Sequence, residues 1–554
     1  MRLTLRLLSS VVQRRPFYVT TPIFYVNAAP HLGHLYSAVV ADTIQRFEKL
    51  VDPDCEVIFS TGTDEHGTKI QQAAANAVLS PAEYCSKISA EYRDLFKDYD
   101  VEYTDYIRTT EDRHKRAVRH FWNKLLEKDY IYKSQYSGWY SVNDEAFVPE
   151  AHVRDEVRNG QTVKVSAESG HKVEWTEETN YMFRLSAFKS HLQEWLKNDG
   201  VITPNKFQKQ LQDLLENETY FPDISISRPS SRVHWAIRVP GDEDQSIYVW
   251  LDALINYLTV IGYPDNDAML KKGRPWPADV QVVGKDILKF HGIYWPAFLM
   301  AINWHPPRRL VCHSHWTVDG SKMSKSLGNV VCPRATPVSP SALRYMLLRE
   351  ATMHDDANYS ESKAVNIANS ELADTLGNLA SRCCGAALNP RGEFPPLHTH
   401  ELAALEQDVS AQLMDHVERL HEVCYGHYRN YQFYKVADAV IRTLHLANVF
   451  FECHKPWELR KKLDGQKELD VVLHITMETL RICGIVLQPI IPDLSNKLLN
   501  KLQIPLDCRS WQHCEKPSWR IEGAIYETKN ILSGKFVLFQ RIYVDKKQKK
   551  KASA

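Results

Sequence analysis

The 554-residue sequence has no C-x-x-C pair, no cysteine between Cys85 and Cys312, and no acidic residue before Asp42. The missing pairs exclude a zinc ribbon, and the scatter of all eleven cysteines excludes the framework of a small secreted disulfide fold. Free thiols in a reducing compartment are expected. No apolar run approaches the roughly 18 residues that a spanning helix needs, so no membrane segment is expected. Net charge is lacking too, since Lys+Arg and Asp+Glu both number 68. Any nucleic-acid partner must then be gripped by local basic patches, because the field of the whole chain steers nothing over long range. Internal repeats and long low-complexity tracts are also absent. The remaining balance, 44% hydrophobic and 25% charged, is that of a globular chain long enough for about three or four domains.

The early shortage of acid has its own meaning. MRLTLRLLSSVVQRRPF carries Arg2, Arg6, Arg14 and Arg15 with Ser9 and Ser10, and Leu3, Leu7 and Val11 fall on one side of a helix. Basic, serine-bearing, acid-poor and weakly amphipathic, residues 1–16 have the composition of a mitochondrial transit segment. Arg6 interrupts the apolar core that a secretory signal would want. A mitochondrial matrix location is expected.

Along the chain, short apolar runs alternate with helical spacing. FYVTTPIFYV is β-branched and aromatic, and the segment 35–50 then places Leu35, Val39, Ile44 and Phe47 at helical intervals. EVIFSTGTDEHG, VQVVGKDILKFHG and RRLVCHSHW each repeat a buried-strand signal leading into a loop or helix. Strands alternating with helices imply a parallel sheet, whose ligands lie beyond the carboxyl ends of the strands. Residues 130–230 change to short alternating runs and read as a hairpin-rich β insertion. From 366 onward strands vanish and long helical patterns follow, so an all-α domain is expected over 366–525, with a lysine-rich tail over 526–554.

At the end of the first strand signal stands HLGH, with His31 and His34 on either side of Gly33. Three readings are open: a metal pair, a nucleotide-phosphate site, or two surface histidines. A metal pair wants a third ligand, and here the intervening residues are Leu-Gly. A helix N-terminus offers N–H groups to phosphate, glycine lets a flat base approach, and imidazoles can donate to phosphoryl oxygens. Far downstream, DGSKMSKSLGN holds Lys322, Ser324, Lys325 and Ser326 in a glycine-flanked loop.

Together these runs resemble the paired "HIGH" and "KMSKS" signatures of class I aminoacyl-tRNA synthetases, and within that class the chain looks most like the methionyl-tRNA synthetase family from about residue 17 to residue 500. The resemblance implies an α/β fold: a Rossmann-type parallel-sheet catalytic domain (17–365, with the 130–230 insertion and a signature-loop and stem-contact region at 319–365), then an anticodon-binding helical bundle. It implies that His31 and His34 serve the α-phosphate of ATP, Lys322 and Lys325 the pyrophosphate, and that Gly33, Ser324, Gly284 and Asp286 complete the nucleotide site. Ile23, Tyr25, Asp64, Trp250, Ala253, Tyr257, Ile287 and His291 match the family's methionine pocket. A carboxylate at Asp64 suits an α-ammonium group, and Tyr25, Trp250 and Tyr257 offer aromatic edges to a thioether.

In the helical domain NLASR and KPW match the anticodon-reading segments, which assigns Asn378, Arg382 and Trp457 to a CAU anticodon; a tryptophan can stack on an unpaired base while the other two bond its edge. The implied partners are methionine, ATP with Mg²⁺, and mitochondrial tRNA(Met), with no membrane. Relatives that insert zinc knuckles do so with C-x-x-C pairs; here SGWYSVNDEAFVPEAHV has no cysteine, so no metal site and no zinc are expected, and Trp139, Tyr140 and Phe147 should hold the insertion by packing. A monomer is expected. The competing readings are another class I synthetase, a small-molecule H-x-G-H nucleotidyltransferase, which has no use for the 378–457 elements, and a catalytically silent RNA-binding relative, which would have lost the histidines and lysines.

Overall fold

The computed structural model describes residues 14–141, 146–148, 150–158, 161–167, 169–217, 221–323, 328–405, 408–521, 529–532 and 534–543. Most of the expected transit segment, the Ser324 and Lys325 positions and the terminal lysines therefore lie outside the described residues. The chain forms two compact units interleaved in sequence: Met1–Ala29, Cys55–Ala90 and Tyr103–Leu310 in one, and Pro30–Asp54, Glu91–Glu102 and Val311–Ala554 in the other.

The first unit is built on the expected parallel sheet. Its strands are β1 (Phe17–Thr20), β2 (Phe24–Tyr25), β3 (Val57–Asp64), β4 (Asp105–Arg108), β5 (Ile202–Thr203) and β6 (Val280–Gly284). Within this unit the order runs β6-β1-β3-β2, with β4 also on β3, and the β1–β6, β1–β3, β2–β3 and β3–β4 pairings are all parallel. β3 is buried along its whole length, as a central parallel strand covered on both faces must be. The strand order reverses between β1 and β6, the switch point outside whose carboxyl ends an open α/β sheet holds its ligand.

The fold of this unit begins earlier than the composition suggested. Arg15, placed in the transit segment, pairs with Asp279 and donates to the carbonyl of Pro277 at 2.6 Å, and Asp279 accepts from the Tyr18 N–H at 2.9 Å. The insertion is the expected β structure only in part, a four-stranded antiparallel sheet and a separate hairpin, Val153–Arg158 with Gln161–Ser166; its later stretch forms the helices Lys189–Leu196 and Asn205–Asn217 instead. Trp139 meets Trp175 edge-on at 5.4 Å and Tyr140 meets Phe147 at 5.0 Å. The Arg232 guanidinium lies 4.1 Å from the Tyr140 ring centroid. Aromatic and cation–π packing thus occupies the stretch where cysteines are missing.

In the second unit the 20-residue helix Leu32–Val51 packs within the helical domain. Phe47 stacks on Tyr428 at 4.5 Å and meets Trp511 edge-on at 5.3 Å. Arg429 pairs with Glu48 at 2.6 Å, and the Trp511 N–H donates to the Leu50 carbonyl at 2.7 Å. Midway along the helix Asp42, fully buried, pairs with the equally buried Arg344. Arg344 spends its other donors on the carbonyls of Ile490 (2.9 Å), Pro489 (3.1 Å) and Tyr99 (3.1 Å). Helices Asp408–Arg429, Phe433–His454 and Gln466–Leu487 form the bundle, the last buried on nearly every side. The region expected to be tail packs back onto this bundle in its described part. Asn369 exchanges two hydrogen bonds with the backbone of Ile542 (2.8 and 2.9 Å), and Ser381 Oγ donates to the Phe536 carbonyl at 3.0 Å.

Candidate functional site

In the second unit His31 is the N-cap of the helix Leu32–Val51. Its Nδ1 accepts from the Gly33 N–H and the His31 N–H donates to His34 Nδ1, both at 3.1 Å. This is a capping box made by two imidazoles in place of the usual Ser/Thr and Glu. The rings stack at 3.7 Å, and the Tyr92 hydroxyl also reaches His34 Nδ1 at 3.1 Å. With both Nδ1 atoms accepting, each ring carries its proton on Nε2. Burial lowers the His31 pKa to about 4, helped by the charges of His315 and Lys322. Burial, then the neighbouring His31, drives His34 well below the ordinary range. At neutral pH the pair is uncharged and donates N–H groups.

The two signatures meet. The Leu32 N–H donates to the Val331 carbonyl at 3.1 Å, which fastens the helix start to the chain just past SKSLG. A Cβ built on Gly33 would stand 3.9 Å from Met323 Cε. Lys322 lies on the hairpin strand Ser321–Lys322, in register with Thr317. Ser324 and Lys325 lie outside the described residues. His315, ahead of the strand Trp316–Val318, is an imidazole that the sequence reading missed; its signal was the second histidine of HSHW, read only as the end of a strand.

In the first unit the switch point gathers the other group. Ile23 and Tyr25 follow β1, and Tyr25 is the register partner of Asp64, the last residue of β3. Gly284 ends β6, Asp286 and Ile287 form the single turn after it, and Asp286 is exposed. His291 sits in a π-helical segment, Phe290–Tyr294, whose closing bond runs from the Trp295 N–H to the Phe290 carbonyl; such i→i+5 turns are frequent at functional positions. Trp250 stacks on Phe290 at 3.7 Å and stands edge-on to His291 at 6.4 Å. Ala253 and Tyr257 are buried beside it in the sequence. Both nitrogens of His291 are engaged: Nδ1–H donates to the Ile287 carbonyl at 3.0 Å, so Nε2 accepts the Tyr257 hydroxyl proton at 2.8 Å. Burial holds His291 down to about 4 and raises Tyr257. His291 is thus neutral and lies against aromatic rings, while the Asp64 carboxylate stands at the end of β3.

The third group lies in the second unit. Leu372, Leu376, Leu379 and Cys383 are buried and Asn378 is exposed, the two faces that the sequence pattern separates. The helix widens just before Asn378, whose N–H donates to the Ala373 carbonyl. The Arg382 guanidinium lies 4.7 Å from the Phe451 centroid and 5.7 Å from that of Trp457. It pairs with Glu452 at 2.7 Å, a partner that no motif singled out. Arg382 and Trp457 are therefore brought together across a long stretch of chain. Among the described residues no group of three or more His, Cys, Asp or Glu could hold a metal ion.

The buried neutral imidazoles set a pH dependence. His31, His34 and His291 take up protons below about pH 6.5 once unfolded but resist them in the fold. The unfolded state then binds more protons, and stability falls as pH drops through that value. The urea midpoint should be lower at pH 5.5 than at pH 7.5; equal midpoints would contradict neutral burial.

Residues 17–384 match the family model described as tRNA synthetases class I (M). The mitochondrial methionine–tRNA ligase of Mus musculus is 48% identical over 502 residues, 88% of this chain and 85% of the relative. That of Homo sapiens is 48% identical over 508 residues, 89% of this chain and 85% of the relative. The structure of Mycobacterium tuberculosis methionyl-tRNA synthetase with methionyl-adenylate superposes with a TM-score of 0.86 at 36% identity, covering 95% of this chain and 100% of that one. The apo form of the same enzyme gives 0.79 at 32%, covering 96% and 99%. With an open parallel sheet that switches at β1/β6 and HLGH bonded through Leu32 to Val331, five residues past KMSKS, the chain belongs to the methionyl-tRNA synthetases of class I.

Proposed function

We propose that the three residue groups divide the work of a methionine–tRNA ligase. The protein activates methionine with ATP to methionyl-adenylate and pyrophosphate, passes the methionyl group to the 3′-terminal ribose of tRNA(Met), and serves mitochondrial translation. A methionine carboxylate oxygen attacks the α-phosphorus while the bond to pyrophosphate breaks, and negative charge grows on the phosphoryl oxygens and the leaving group. Preorganised donors aimed at those oxygens lower the barrier. His31 and His34 act on the α-phosphate side as neutral N–H donors fixed by their mutual cap. Lys322 and Lys325 bring positive charge to the pyrophosphate. Gly33, Ser324, Gly284 and Asp286 complete the nucleotide site, Asp286 near the ribose. The observation that supports this reading is the bond from the Leu32 N–H to the Val331 carbonyl, five residues past KMSKS.

Asp64 pairs with the methionine ammonium group. Ile23, Tyr25, Trp250, Ala253, Tyr257 and Ile287 surround the side chain. His291, with both nitrogens bonded internally, fixes Tyr257 and leaves sulfur recognition to aromatic contact. Mg²⁺ arrives as part of MgATP, where it screens the phosphates. The aromatic packing of the insertion supports a protein that needs no structural zinc. It works as a monomer in the matrix, with a leader that ends before Arg15. The catalytic domain spans 17–365 and the anticodon domain 366–525.

Asn378, Arg382 and Trp457 read the CAU anticodon, with Glu452 keeping the guanidinium over Trp457 until a base replaces it. Purified protein with methionine and ATP should charge a tRNA bearing CAU far better than the same tRNA with another anticodon. Trp457→Ala should weaken tRNA binding by about 1–3 kcal/mol, the worth of one stacked base, and leave tRNA-independent adenylate formation unchanged. Charging that ignores the anticodon would contradict the assignment.

A further inference from the structure

Resting on the methionine pocket proposed above, we infer that Asp252 is a positioning residue, a buried carboxylate that fixes the spacing between the ammonium-binding Asp64 and the aromatic wall of the pocket. Asp252 lies in the short helix Val249–Leu254, two residues after Trp250 and directly before Ala253, and it is fully buried. Its Oδ2 accepts from His66 Nδ1 at 2.6 Å and its Oδ1 from His114 Nε2 at 2.8 Å. His66 stands two residues after Asp64 on the turn that leaves β3. His114, on the helix Asp112–Glu127, also bonds the Thr259 hydroxyl through Nδ1 at 3.0 Å, and Thr259 lies two residues past Tyr257. One anion therefore joins the three segments that carry Asp64, then Trp250 and Ala253, then Tyr257.

The turn itself shows why such a tie is needed. In TDEHG the side chains after Asp64 are both internal anchors. Glu65 accepts from Arg108 at 2.7 and 3.0 Å and from Thr110 at 2.6 Å, and His66 is committed to Asp252. Trp235 holds the turn from its other side, its indole N–H donating to the Glu65 carbonyl at 2.6 Å. A charge this deep persists only when paired and hydrogen-bonded, and the two imidazoles keep Asp252 down to about 2 against the opposing effect of burial. Productive attack needs the substrate carboxylate placed within a fraction of an ångström, and the ammonium and thioether ends fix that placement. A shift of the Asp64 turn against the Trp250 helix would leave both contacts present but mismatched.

The test compares dissociation constants for methionine and for 4-(methylthio)butanoate, the same acid without its ammonium group, on the full-length protein by tryptophan fluorescence. Asp64→Asn should collapse the preference for methionine; if it does not, the pocket reading fails, whatever Asp252 does. Given that collapse, Asp252→Asn should reduce the preference at least about tenfold while the KM for ATP stays within about twofold. A merely structural role would weaken both ligands alike and keep their ratio. Should Asp252→Asn not fold, His66→Leu takes its place, leaving Asp252 paired with His114, and His66→Asn, whose amide can donate from the Nδ1 position, should restore the ratio. An unchanged ratio in Asp252→Asn, or in His66→Leu where that variant decides, overturns the inference.

Discussion

Replacing His31 by asparagine is expected to lower kcat for methionine-dependent pyrophosphate exchange by about 10²–10³, the cost of removing one preorganised donor from a developing oxyanion, while the melting temperature stays nearly unchanged. Two roles of one ring separate here. Nδ1 caps the helix Leu32–Val51 by accepting from Gly33, and asparagine is among the best residues for that task. Nε2–H is the group assigned to the α-phosphate, and asparagine is too short to present a donor there. His31→Ala should lose both, adding roughly 0.5–2 kcal/mol of destabilisation to the same kinetic defect. Normal exchange in His31→Asn would remove the histidine from the chemistry. A large loss of stability in that variant would instead refute the cap.

The second large effect is thermodynamic. Arg344→Met leaves Asp42 buried with only Arg46, at 2.7 Å, as a charged partner, and strips bonds from the carbonyls of Tyr99, Pro489 and Ile490. Breaking a buried ion pair from one side costs about 3–5 kcal/mol when a charge is left uncompensated, and the loss here should fall toward the lower end because Arg46 remains on Asp42. The double variant Asp42→Leu/Arg344→Met removes that charge and should recover much of the loss. Urea unfolding followed by the fluorescence of Trp511, which stands against Phe47 of the same helix, measures both. A double variant as unstable as the single one would mean that the carbonyl bonds, not the charge, carry the energy.

The parallel sheet, the hairpins of the insertion and the helical bundle were legible from hydrophobic pattern: β3 opens on a short apolar run and Gln466–Leu487 reads as a long apolar segment, as elements buried on nearly every side do. Other features were illegible for physical reasons. Histidine is rarely an N-cap, so HLGH reads as ligand chemistry and hides its role in starting a helix. The π-helical turns at Phe290–Tyr294 and before Asn378 change the angular spacing without any marker residue. Glu452 and Asp252 act through partners distant in sequence, which no local pattern can pair. The segment leading to the terminal lysines reads as solvated from its composition, yet Asn369 and Ser381 satisfy its backbone.

In the function proposed above, the HLGH and KMSKS runs serve ATP and the residues around Trp250 and Asp64 select methionine. Exchange of labelled pyrophosphate into ATP by the purified protein, run separately with methionine and with leucine, tests it most directly. The geometry predicts rapid exchange with methionine and little with leucine. Equal rates would contradict the pocket, and no exchange with either amino acid would contradict the site.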